Sequence, residues 1–125
     1  MGLGNTDVIA FVATAKPREA LAFYRDVLGL RLVEDSPFAI EMRGHNASIR
    51  IQKVKRTTPA GFTALGWKVK DISATAMELA GKGVKFERYE GMAQDELGIW
   101  VSPAGARVCW FKDPDGNVLS LTQWA

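Results

Sequence analysis

Residues 7–14, DVIAFVAT, are rich in apolar and β-branched side chains and predict a first strand. Pro17 stands where a first helical position would be. From there Ala20, Leu21, Phe23, Tyr24, Val27 and Leu28 recur at helical spacing until Gly29 stops the pattern. Three short strands follow at about 30–34, 38–43 and 47–54, separated by the turn-forming stretches DSP and RGHN. KRTTPAG, 55–61, reads as a linker, and after it the same order begins again. FTALGWKV, 62–69, predicts a strand, Asp71 is a good helix N-cap, and Ile72, Ala76, Leu79 and Ala80 mark a helix stopped by Gly81 and Gly83. Strand candidates then fall at 84–88, 98–102, 106–112 and 118–123. This half-length repetition predicts an α+β chain rather than a doubly wound sheet. It would consist of two βαβββ modules, 6–54 and 62–125, each covering one face of its sheet with one helix.

A length of 125 residues fits a single domain with a real core. Hydrophobic residues at 47% and charged residues at 24% are ordinary for a soluble protein, so composition adds no special class. The net charge is only +2 and the basic residues are scattered, KVKR at 53–56 being the densest patch; nucleic acid is not an expected partner. Cys109 is the single cysteine and His45 the single histidine, which excludes an intramolecular disulfide and leaves no ligand set for structural zinc. No stretch approaches the ~20 apolar residues of a membrane span, and no charged leader precedes an apolar run, so no membrane partner and a cytoplasmic address are expected.

Near the C-terminus WFKDPDGNVLSL, 110–121, packs two aspartates, a proline, a glycine and an asparagine between apolar runs. Turn chemistry accounts for the cluster: Pro114 presets φ, Asp115-Gly116 is a strong hairpin dipeptide and Asn117 tolerates the left-handed region.

EALAFYRDVLGLRLVED followed far downstream by WFKDPDGNVLSLTQ resembles the vicinal oxygen chelate superfamily of glyoxalase I, extradiol dioxygenases and the bleomycin and fosfomycin resistance proteins. The resemblance covers nearly the whole chain. It implies paired βαβββ modules curled round a cavity, and a homodimer; it does not fix the chemistry, since one scaffold hosts many reactions. Metal-using relatives bind a divalent ion through His, Gln or Glu on the first and last strands of the modules. In this sequence the resemblance places Ile9, Arg50, Ala64 and Ser120 at those positions. None can ligate a divalent cation in the required way, and a guanidinium would repel it, so no metal and no other cofactor is expected.

Period-2 alternation sorts the side chains that would line the cavity instead. Arg50 inward brings Ser48 and Gln52; Ile9 brings Phe11; Ala64 brings Gly66 and Lys68; Ser120 brings Val118 and Thr122. Trp110, which the resemblance to glyoxalase I puts on an apolar pocket wall, has Val108 beside it, and Trp100 is the other tryptophan suited to a ligand wall. Mostly apolar walls with Phe11, Arg50, Gln52, Lys68, Trp100, Val108, Trp110, Ser120 and Thr122 suit a small, partly aromatic or anionic molecule. Arg50 could clamp a ligand carboxylate or phenolate, or could pair with Glu41 across the sheet.

Equivalent positions lie 55 residues apart at the first strands and 70 apart at the last, and 89–105, YEGMAQDELGIWVSPAG, is the natural place for the excess. Such a loop could be a lid, and Tyr89, Glu90, Asp95 and Glu96 are its only candidate acids or bases. Two further functions therefore stand beside metal-free ligand binding. One is a metal-free isomerase, lyase or hydrolase using Arg50 and a lid carboxylate; the other is a metal-dependent glyoxalase or dioxygenase. Capture of a cationic drug such as bleomycin would favour an acidic cleft, which a slightly basic chain does not offer.

Overall fold

The structure, a computed structural model, describes residues 2–125. Strand β1 (Ile9–Thr14) alternates as the sequence predicts, burying Val12 and Thr14 while Ile9 and Phe11 stay half-exposed on the other face. The hydroxyl of Thr14 accepts from Lys16 N at 2.9 Å, and Pro17 then opens helix α1 (Pro17–Ala22). The single helix expected up to Leu28 is instead six α-helical residues followed by a π-helical turn, Phe23–Val27. Widening the turn buries Tyr24 completely and sets Phe23 edge-on to it, with ring centroids 5.4 Å apart. The helix ends at Gly29, where Leu30 N donates to Tyr24 O.

Three strands follow: β2 (Arg31–Asp35), β3 (Ala39–Arg43) and β4 (Ser48–Lys53). The order across the sheet is β1-β4-β3-β2, with β1 parallel to β4 and the other pairs antiparallel. Ile40, Met42, Ile49 and Ile51 form its buried face together with Tyr24 and Ala20. Each fully buried aliphatic side chain of this kind contributes about 1.5–3 kcal/mol.

The second half repeats the plan. Strand β5 (Thr63–Lys68) leads to helix α2 (Ile72–Gly81), then β6 (Trp100–Val101), β7 (Arg107–Lys112) and β8 (Val118–Gln123), in the order β5-β8-β7-β6. Asp71 caps α2 as expected, its side chain accepting from Ala74 N at 3.0 Å. Ile72, Ala76 and Leu79 are buried on the helix, and Cys109, Phe111, Leu119 and Leu121 on the sheet. Gln123 ties the two together by accepting from Ile72 N at 2.9 Å.

Two sequence expectations change here. Residues 84–88 form no strand; only Phe86 bridges to Phe111, and Glu87 N donates to Trp110 O. The rest of the segment spends its polar groups on the loop that follows. The alternation of β5 also breaks, since Thr63 pairs with Val118 and Leu65 with Leu119, so the register skips Ala64.

The chain divides into two compact units, the first ending at Thr58 and the second running from Pro59 to Ala125, with the division inside the segment read as a linker. No helix among the described residues is long and apolar enough to cross a membrane.

Candidate functional site

In the first unit, cross-strand pairing builds rows on the sheet face turned away from α1. Ile9 lies opposite Ser48, Phe11 opposite Arg50, and Ala13 opposite Gln52. Ser48, Arg50 and Gln52 in turn face Arg43, Glu41 and Ala39. Phe11, Arg50 and Gln52 therefore share one face, as the alternation predicts. Of the two roles open to Arg50, the structure displays the pairing: Nη1 lies 3.1 Å from Glu41 Oε1 in the directly opposed register. Both side chains are about one-third exposed, so the pair adds about 0.2–1 kcal/mol and binds the guanidinium to an internal acid.

The second unit carries the more developed face. One row runs Lys68, Thr122, Val108 and Trp100; the next runs Gly66, Ser120 and Trp110. Trp100 and Trp110 are tilted against each other with centroids 6.2 Å apart, and Tyr89 meets Trp110 edge-to-face at 5.4 Å. Two strand rows and a loop thus bring three aromatic rings together, and the alternation expected for Lys68, Val108, Trp110, Ser120 and Thr122 is the one observed. Trp67 pairs with Leu121 on the opposite face, and Trp124 is exposed at the chain end.

Gly66 shapes the floor beside these rings. A Cβ there would lie 2.6 Å from Ser120 Oγ, so the buried serine occupies the space a side chain at 66 would need. The same contact tests the ligand set of metal-using relatives. Ser120 presents a hydroxyl packed over β5, the register skips Ala64, Ile9 has no donor atom, and Arg50 is committed to Glu41. No group of three or more His, Cys, Asp or Glu residues among those described could hold a metal ion. These residues do not fit a divalent cation.

The turn that delivers Ser120 is built around Asp113. Its carboxylate accepts from Asp115 N, Asn117 N and Asn117 Nδ2 at 3.0, 2.9 and 2.8 Å, while Gly116 takes the left-handed φ of 91° that closes the turn. The acidic cluster is thus structural, as its turn chemistry predicts.

The acid and base candidates of 89–105 separate in the structure. Asp95 Oδ1 accepts from Leu97 N and Ile99 N, both at 2.9 Å, and so organises its own turn. Glu90 and Glu96 are exposed. The Tyr89 phenol is pushed above its ordinary range by burial and by Glu87, with Lys112 opposing. Sequence reasoning missed Gln94. Its amide accepts from Tyr89 N at 2.8 Å and donates to Glu87 O and Gly98 O at 2.9 and 2.8 Å, fastening both ends of the loop. Its only sequence signal was an uncharged amide among charged neighbours. Cys109 is fully buried on the helix side, where burial above all pushes its thiol up to about 12. His45 is exposed in its turn.

No curated protein matches the chain. Among solved structures, TnmS3, an antibiotic binding protein from Streptomyces sp. CB03234, is 23% identical with a TM-score of 0.75, covering 100% of this chain and 99% of that one. A glyoxalase/bleomycin resistance protein/dioxygenase superfamily member from Sphaerobacter thermophilus DSM 20745 is 24% identical, with a TM-score of 0.73 and coverage of 94% and 95%. Lactoylglutathione lyase from Agrobacterium tumefaciens is 15% identical, with a TM-score of 0.75 and coverage of 95% and 93%. These similarities establish a shared fold. The model of one family matches residues 7–121, nearly the whole chain, and the chain belongs to the Glyoxalase/Bleomycin resistance protein/Dioxygenase superfamily.

Proposed function

We propose that this protein binds a small, partly aromatic molecule on the exposed face of its second sheet, without a metal ion. The observation that carries the reading is the cluster of Tyr89, Trp100 and Trp110 beside the small residues Gly66 and Ser120. Aromatic walls offer large contact area at low entropic cost, and the hydroxyls of Ser120 and Thr122 can orient a polar substituent. Val108, beside Trp100 in its row, adds apolar surface. Binding rather than turnover is supported by the fate of the candidate carboxylates: Asp95 is used in its own turn, and Glu90 and Glu96 are exposed. TnmS3, a protein of this fold, is described as an antibiotic binding protein, which is in keeping with sequestration or carriage of a ligand. A homodimer, implied by the family resemblance, and a cytoplasmic address belong to the same proposal.

The test is calorimetric titration with a neutral biaryl probe, biphenyl-4-carboxamide. Trp110→Ala and Trp100→Ala should each weaken binding about tenfold, reflecting lost ring contact and burial, while Trp124→Ala stays within about twofold. Prior dialysis against a chelator should leave the native affinity unchanged. Equal affinity in all three variants, or loss of binding after chelation, would contradict the proposal.

A further inference from the structure

The ordered rows of the second sheet carry one charge that nothing within the described residues balances. Of the strand positions on the aromatic face, only Lys68 and Lys112 are ionisable. Lys112 has an acid at hand, its Nζ lying 3.4 Å from Glu87 Oε1. Lys68 has no ion-pair partner among the described residues, and it is exposed. It stands at the end of the row that runs through Thr122 and Val108 to Trp100, two residues along β5 from Gly66. No carboxylate occupies a strand position on this face. The other cation expected near a ligand, Arg50, is already bonded to Glu41.

We infer that the ligand of this face is an aromatic anion, its ring against Trp100 and Trp110 and its carboxylate or phenolate held by the Lys68 ammonium with the Thr122 hydroxyl beside it. This rests on the proposed binding role of the same face and adds the charge of the ligand and the residue that reads it. Geometry sets a length. Strands lie about 4.8 Å apart, so Lys68 and Trp100, three strand spacings apart in one row, are separated by about 14 Å of backbone. Side chains reaching inward from both ends leave room for a ring-to-anion distance of one to two strand spacings. A neutral ligand of the same shape would gain the ring contacts and forgo the charge-assisted hydrogen bond. Because Lys68 is exposed, the gain from that bond is modest and salt-dependent.

The experiment compares biphenyl-4-carboxylate with biphenyl-4-carboxamide on the native protein and on Lys68→Met, with Arg50→Met as a control. The native protein should bind the carboxylate about fivefold more tightly than the amide, a preference that shrinks as salt is raised. Lys68→Met should bring the two probes within about twofold of each other, chiefly by weakening the carboxylate; Arg50→Met should keep the preference. Equal native affinities, or a carboxylate preference that survives Lys68→Met, would overturn the assignment of the anion to Lys68. If binding of the amide still depends on Trp110 in that case, the face remains a binding site and only its charge reading falls. If neither probe binds the native protein at millimolar concentration, both readings fall together.

Discussion

Gly66 and Ser120 meet across β5 and β8 so closely that one can keep its place only because the other is small. Gly66→Ala would push a methyl group to 2.6 Å from Ser120 Oγ, and the serine would have to swing out of its packed position. That substitution should cost about 1–2 kcal/mol, a crowding penalty of the usual size. Adding Ser120→Ala should recover most of it, since the next contact is the Ser120 carbonyl at 3.4 Å. Thermal denaturation of the two single variants and the double variant measures the coupling; additive losses would mean that the contact is not the cause. At this scale the sequence was legible where alternation held. Fixing Ser120 as inward was enough to assign Lys68, Val108, Trp110 and Thr122 to one face. It failed at Ala64, because a register slip arises from pairing between strands and leaves no mark in a single strand. Tyr89 was singled out by residue type alone, and its contact with the Trp110 ring left no mark in the sequence.

Between α2 and β6 the chain forms little regular structure, yet it is held. Gln94 is the fastener, joining Glu87, Tyr89 and Gly98 through three side-chain hydrogen bonds. The segment 84–88, apolar enough to predict a strand, meets the sheet only around Phe86 and Glu87: Val84 N turns back to Leu79 O, and Glu87 O accepts from Gln94. Gln94→Ala should leave Glu87 O and Gly98 O without their protein donor, at about 1–3 kcal/mol in total. Hydrogen exchange should accelerate at Tyr89 and its neighbours while β7 and β8 stay protected. Unchanged exchange at Tyr89 would contradict the fastening role. Elements with strong local signals were readable in advance: the Pro17 start and Gly29 stop of the first helix, the Asp71 cap and the turn at 114–117. The π-helical turn at Phe23–Val27 was not, because it arises from how Tyr24 fits the sheet beneath it.

For the whole molecule, the repeated βαβββ order and the pairing of AFYRDVLG with DPDGN carried the family, and the fold of each unit follows that plan. Ligand identity was not legible, since it depends on where side chains end in space. Our proposal puts the ligand on the aromatic face of the second unit, and the four tryptophans allow a direct reading. Each indole N–H gives its own proton resonance, and Trp67, Trp100, Trp110 and Trp124 occupy four different environments. The decisive measurement is a nuclear magnetic resonance titration of the native protein with biphenyl-4-carboxylate, with the indole signals assigned by single replacement. Progressive shifts of the Trp100 and Trp110 signals, with those of Trp67 and Trp124 nearly still, are the result expected for a ligand seated on this face. Movement confined to Trp67 or Trp124, or no movement of Trp100 and Trp110 under saturating probe, would contradict it.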